Sequence, residues 1–98
     1  VIKVDVIVDD GNCLVCPKCG FNYLHHGKID NYHRKEDSEY CYHTTVDGYY
    51  IEARCDDNKH NPSTRRDGLT IDFYCEGCQK TSKLCIAQHK GQTLVRWR

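Results

Sequence analysis

Methionine is absent from the 98 residues, tryptophan occurs once, and phenylalanine and proline occur twice each. Without an initiator Met, the first residue carries no information about the natural start of the chain. The shortage of large apolar side chains says more. Hydrophobic residues make up 39% of the chain, and that share counts seven Tyr and eight Cys. A small domain buries a modest fraction of its surface, and one with so thin a core needs a metal or disulfides to hold it. A run of the ~18 apolar residues that span a membrane as a helix is missing too, so no membrane partner is expected. Net charge is the last absence, with 14 Lys+Arg against 14 Asp+Glu. The chain as a whole is therefore not the strongly basic domain typical of nucleic-acid binders.

The charge that is present is unevenly spread. Residues 1–49 hold five basic and eight acidic side chains, whereas residues 50–98 hold nine and six. No acid follows Glu76, and Lys80, Lys83, Lys90, Arg96 and Arg98 make a modestly basic end.

Cysteine is what the chain has in excess. Eight is an even number, so a secreted disulfide framework has to be weighed. Against it stand two C-x-x-C pairs, Cys16-Pro17-Lys18-Cys19-Gly20 and Cys75-Glu76-Gly77-Cys78. Residues 1–6 also alternate apolar and charged, which reads as a strand and not as a secretory signal. Four thiolates from two such turns are the set that Zn²⁺ takes in a closed tetrahedral site, structural and not catalytic. Pro and Gly in the first turn suit the tight backbone, whose N–H groups can point at the sulfurs. The expectation is one structural Zn²⁺ per chain held by Cys16, Cys19, Cys75 and Cys78. Cys13 lengthens the first motif to C-x-x-C-x-x-C and competes with Cys16 as a ligand, but Pro-Lys-Cys-Gly favours Cys16 with Cys19.

Local patterning predicts a mostly β chain forming one domain over residues 1–98. Residues 1–8 place Ile2, Val4, Val6 and Val8 on one face of a strand. Asp9-Asp10-Gly11-Asn12 is turn chemistry. Phe21, Tyr23 and Leu24 leave the first knuckle as a short strand. Residues 28–39 are polar without a clear period and are expected as an exposed loop. Residues 40–55 read as a hairpin about Asp47-Gly48, pairing Val46 with Tyr49 and Thr44 with Ile51. Its more apolar face, with Tyr40, Tyr42, Thr44, Val46, Tyr49, Ile51, Ala53 and Cys55, is expected to be buried. Residues 56–68 form a long polar loop, 69–75 a strand running into the second knuckle, and 83–98 a final hairpin turning at Lys90-Gly91 or Gly91-Gln92. Ile86, Val95 and Trp97 share a face there. The long interval between Cys19 and Cys75 makes the middle hairpin and its loops an insertion into a ribbon.

Other constellations point less sharply. Cys41 and His43 lie two apart on a strand face, and with His25, His26, His60, Cys55 and Cys85 they raise the question of a second metal site. The plainer reading makes Cys41 and His43 surface residues and Cys55 and Cys85 small buried hydrophobes. Arg65, Arg66, Lys80, Lys83, Lys90 and Arg96, with Arg98, Tyr74 and Trp97, could form a phosphate-contacting surface with stacking rings. The plainer reading is a solvated face, with Arg65 or Arg66 paired to Asp67 or Asp72. A metal-dependent nuclease would use His60-Asn61 or His25-His26 as base, but nothing orders such a pair, and no catalytic residue is assigned.

The first knuckle CPKCGFNYLHHGKI and the stretch NPSTRRDGLTIDFYCEGC with LCIAQHKGQTLVRW resemble a small zinc-ribbon family of bacterial and phage proteins. The resemblance is strongest over residues 13–26 and 61–97. It implies a zinc ribbon, a cytoplasmic setting and a mobile-element origin, and it supplies no activity. Cys13, Cys41, Cys55 and Cys85 lie outside its pattern. The functional expectation is a zinc-stabilised binding or adaptor module with a protein partner. The alternatives are a nucleic-acid-binding ribbon using the basic C-terminal third, and a nuclease.

Overall fold

The computed structural model describes residues 7–98. It holds one antiparallel sheet of six strands, and no helix among those residues. The strands are β1 (Leu24–His33), β2 (Tyr40–Asp47), β3 (Tyr50–Asp57), β4 (Gly68–Cys75), β5 (Thr81–His89) and β6 (Gln92–Trp97). Their order across the sheet is β3-β2-β1-β4-β5-β6. Most of the strand expected over residues 1–8 lies outside the described residues; its end, Val8, bridges to Leu14.

The sheet is a centre with a hairpin on each side. β1 and β4 form the centre, β2–β3 adds to the free side of β1, and β5–β6 adds to the free side of β4. The middle hairpin is thus continuous with the rest of the sheet. β4 and the final hairpin follow the sequence pattern. The latter turns at Lys90-Gly91, both with positive φ (49° and 80°), as a type I′ turn requires. Ile86 faces Val95 and Leu84 faces Trp97.

Three expectations are corrected. Residues 28–33 are the second half of the central strand and not an exposed loop. Gly27, Asp30 and Asn31 are poor strand formers, and the strand is held here by neighbours on both sides. It bends on the way: between His26 and Ile29 the register with β4 slips, as at a β-bulge. The middle hairpin turns at Gly48-Tyr49, so Val46 pairs with Ile51 and Thr44 with Ala53. Gly48 alone has positive φ (60°), which is the type II′ arrangement with Gly first.

The third correction concerns which face is covered. The apolar face of the middle hairpin is exposed: Tyr42 is 69% and Ile51 71% accessible. The polar face is buried, with Cys41, His43 and Thr45 on β2, Asp30 and Tyr32 on β1, Thr70 on β4, and Cys85 and Ala87 on β5. The β3–β4 loop lies over this face, with Asn61, Pro62 and Ser63 buried. Asn61 fastens the loop to itself, donating to Asn58 Oδ1 and to the Arg66 carbonyl (3.0 Å each) and accepting from the Ser63 N–H. Ser63 donates to the Gln88 carbonyl of β5 at 2.9 Å. Gly68 makes room for it, because a Cβ there would stand 2.0 Å from Asn61 Oδ1 and 2.7 Å from Pro62 Cδ.

Candidate metal centre

β1 leaves the first knuckle and β4 enters the second. Their register sets Leu24 opposite Cys75, the last residue of β4. Two turns far apart in sequence are thereby delivered to the same end of the same strand pair. The Tyr23 carbonyl accepts from the Glu76 N–H at 3.1 Å and continues the ladder between them.

The two knuckles have the same backbone. In the first, the Gly20 N–H donates to the Cys16 carbonyl (2.9 Å) and the Cys16 N–H to the Phe21 carbonyl (2.8 Å). In the second, the Gln79 N–H donates to the Cys75 carbonyl (2.9 Å) and the Cys75 N–H to the Lys80 carbonyl (3.0 Å). Each turn is completed by a left-handed residue after its second cysteine, Gly20 (φ 79°) and Gln79 (φ 60°). Glycine does this without strain; Gln79 does it at a cost that the paired knuckle must hold down. Contacts between the turns are close. The Phe21 ring lies so near Gly77 that a Cβ there would be 2.9 Å from it, and the Lys18 ammonium donates to the Thr81 carbonyl.

This arrangement gathers the Sγ atoms of Cys16, Cys19, Cys75 and Cys78 within 4.8 Å of one another. Cys16 and Cys78 sulfurs are 3.8 Å apart, and those of Cys19 and Cys75 3.5 Å. A tetrahedron with Zn–S bonds of about 2.3 Å has edges of about 3.8 Å. The four cysteines can therefore hold a metal ion, and the sulfur spacing fits one of that size. All eight cysteines are free thiols.

The sulfurs also perturb one another. Burial works to push the Cys75 thiol up, but the Cys78 and Gly77 backbone N–H groups and the Cys19 and Cys16 thiols outweigh it and bring it down to about 7. At Cys19 the hydrogen bond from Phe21 favours the thiolate, yet burial and the Cys75, Cys16 and Cys78 sulfurs prevail and hold it at about 11. One thiolate forms readily and the next is opposed by the first. A cation at the centre removes that opposition, since coordinated thiols are deprotonated outright.

The remaining candidates fall elsewhere. Cys13 is exposed, with its thiol toward the Gly11 carbonyl. Cys85 is fully buried, whereas Cys55 is exposed and not the buried hydrophobe expected. Cys41 and His43 are buried rather than at the surface. Cys41 donates to the Asp57 carbonyl (3.6 Å), and neither His43 nitrogen is free to ligate. His25 is paired with Glu76 at 2.5 Å.

The basic candidates do not converge on one patch. Arg65 grips Asp37 through Nε and a terminal nitrogen, both at 2.7 Å, and also reaches Glu36. Arg66 binds Glu36 at 2.9 Å, and Lys83 binds Asp72 at 2.9 Å. The arginine partners are thus in the β1–β2 loop, and not Asp67 or Asp72. Arg96 leans on the Pro62 carbonyl. Lys80 and Lys90 flank the nine residues of β5, about 30 Å apart at ~3.3 Å per residue.

Sequence reasoning missed one cluster, the polar network under the β3–β4 loop. His43, 5% exposed, sets Nε2 2.8 Å from Asp30 Oδ1. Its Nδ1 lies 3.0 Å from Asp56 Oδ2 and 3.0 Å from an Arg54 guanidinium nitrogen. Thr45 donates to the same Asp30 oxygen at 2.7 Å, and Tyr32 stacks on the imidazole with ring centroids 4.2 Å apart. Burial works to raise the Asp30 pKa, but the bonds from Thr45 and His43 outweigh it and hold the carboxyl below its usual range. The hydrogen bond from His43, helped by the Asp57 backbone N–H, does the same for Asp56. Both ring nitrogens are engaged by protein groups, so neither is turned toward a ligand. The only sequence signal was the alternation that put Cys41 and His43 on one strand face.

Comparisons with protein-family models, curated proteins and solved structures return no match. No helix among the described residues is long and apolar enough to cross a membrane.

Proposed function

We propose that the chain is a zinc-stabilised protein-interaction module, in which a Cys₄ clasp fixes the sheet and the β2–β3 hairpin meets the partner. The observation that carries this reading is the exposed row of Tyr42, Val46 and Ile51, with Tyr40 and the turn residue Tyr49 beside it. Exposed contiguous apolar surface marks interaction sites, and tyrosine is enriched in them. Zinc is the metal of the reading because two thiolate knuckles in a closed set are its usual structural site. Eight free thiols fit a reducing compartment, and hence the cytoplasm. The resemblance to bacterial and phage ribbons would make the partner a host protein.

The nucleic-acid reading draws less support, because Arg65, Arg66 and Lys83 already face acids. The nuclease reading, with His60-Asn61 or His25-His26 as base, draws less support too: Asn61 is taken up in fastening its own loop, and His25 pairs with Glu76. A pull-down with the zinc-loaded chain tests the module. One specific protein is expected, lost in Ile51→Asp and Tyr42→Asp and retained in Arg65→Ala. Capture of nucleic acid that weakens steeply with salt, in place of a protein, would overturn it.

A further inference from the structure

β3 is an outer strand of the sheet, and among the described residues it packs against β2 alone. It is eight residues long, contains no proline, and keeps an unbroken register with β2 from Asp47↔Tyr50 to Tyr40↔Asp57. Edge strands are commonly blunted by bulges, prolines or lysines, because an open row of N–H and C=O groups invites another strand. β3 has no bulge, proline or lysine, and its charges pair along the strand, Arg54 with Glu52 at 3.0 Å and with Asp56 at 3.4 Å. Its charged side chains on the polar face, Glu52, Arg54 and Asp56, alternate in sign.

The direction of its free backbone groups follows from the turn. A two-residue loop closes on a hydrogen-bonded pair, here Asp47 with Tyr50, and the antiparallel ladder alternates from there. The N–H and C=O groups of Tyr50, Glu52, Arg54 and Asp56 turn toward β2. Those of Ile51, Ala53 and Cys55 turn outward, whereas the Asp57 N–H and carbonyl are taken by Asp56 and Cys41.

We propose that the outer edge of β3 pairs with β3 of a second copy of this chain, antiparallel about a twofold axis at Ala53. Two six-stranded sheets then join edge to edge. This rests on the hairpin being the interaction element and names a partner for it. Three constraints select the register. Outward groups must meet outward groups, which permits an axis at a residue and forbids one between residues. Overlap is greatest with the axis near mid-strand, at Ala53 or Arg54. An axis at Arg54 sets Arg54 against itself and Glu52 against Asp56, all like charges. An axis at Ala53 sets Glu52 opposite Arg54 twice and, on the other face, Ile51 opposite Cys55. Opposed pairs of that kind stabilise a sheet, and like charges directly opposite destabilise it. The exposed row of Tyr42, Val46 and Ile51 then runs on across the axis.

Sedimentation equilibrium of the metal-loaded full chain, from low micromolar to submillimolar concentration, tests this. The wild type is expected to dimerise reversibly. Glu52→Arg should weaken the dimer at least about tenfold, since two attractive pairs become repulsive. Glu52→Arg with Arg54→Glu should restore it, because the opposed pairs are merely exchanged. Mixed with wild type, the double variant should form homodimers only, a readout that stands even where the single variant fails to fold. A wild type monomeric throughout overturns the pairing, and if it still captures a partner protein through Tyr42 and Ile51, the module reading survives. A dimer indifferent to both variants overturns the register and the proposal with it.

Discussion

Leu24 stands directly opposite Cys75 in the β1–β4 ladder. The distance between the two knuckles is therefore fixed by strand register, and the metal site inherits the precision of the sheet. A slip of one residue would turn Cys75 to the other face and take its sulfur out of the tetrad.

Removing a member of the tetrad should release the metal and unfold the chain, because metal binding free energy here is folding free energy. Cys75→Ser is expected to lose bound zinc and the cooperative thermal transition. Cys13→Ser should keep one zinc per chain and leave the transition unchanged. Elemental analysis beside thermal melting separates the two. Equal damage at both positions would contradict the assignment of the ligands.

Chelation should act in the same direction. Excess chelator is expected to abolish the melting transition, and added Zn²⁺ to restore it. A chain that melts identically without metal would show that the sheet stands without the clasp.

The His43 network should be the most sensitive polar spot away from the metal. His43→Ala leaves the Asp30 carboxylate buried beside a cavity and is expected to destabilise by about 2–4 kcal/mol. Thr45→Val removes one of the two bonds to Asp30 and should be milder, about 1–2 kcal/mol. Urea denaturation with zinc in excess measures both. A His43→Ala effect below that of Thr45→Val would mean that the imidazole is not what holds Asp30.

Acid should expose the same network. The Asp30 and Asp56 carboxyls are held below the usual range when folded, whereas an unfolded Asp titrates near about 3.9. Folding thus releases protons in this range, and the stabilisation is fully present above about pH 4 and lost as pH falls through the lowered folded values. Asp30→Asn should narrow the difference in urea midpoint between neutral and acid pH. The comparison is made against wild type at each pH, so that reprotonation of the metal thiolates is common to both. An unchanged difference would assign the acid sensitivity away from Asp30, to Asp56 or to the cysteine tetrad.

Gly68→Ala should be among the costliest glycine substitutions, since its Cβ meets Asn61 and Pro62 at contact-violating distance. A loss of about 1–3 kcal/mol is expected, with faster proteolysis in the β3–β4 loop. Normal stability would show that the loop does not rest on β4 there.

What could be read from the sequence was local. The knuckles are spelled by spacing, and β4 and the final hairpin by alternation beside a Lys-Gly turn. The four cysteines that can hold a metal ion were legible for the same reason. The polar half of β1 was not, because Asp30 is at home in a strand only when His43 and Thr45 arrive from β2 to bond it. The buried face of the middle hairpin was not legible either. Alternation sorts residues into two faces, but which face is covered depends on where Asn61, Pro62 and Ser63 come to lie. The turn was misplaced by one residue because Gly48 serves either as the second residue of a type I′ turn or as the first of a II′.

The placement of the two knuckles also sets an order of events during synthesis. Cys16 and Cys19 leave the ribosome before the middle hairpin, and Cys75 and Cys78 only after it. In between, the nascent chain offers a half-site, and β1 has β2 beside it but no β4. The β2–β3 hairpin can form by itself in that interval, since its contacts are local and fast to close. The central pair and the cysteine tetrad close only after that, and β5–β6 adds beyond β4 afterwards, so the sheet grows from one edge toward the other.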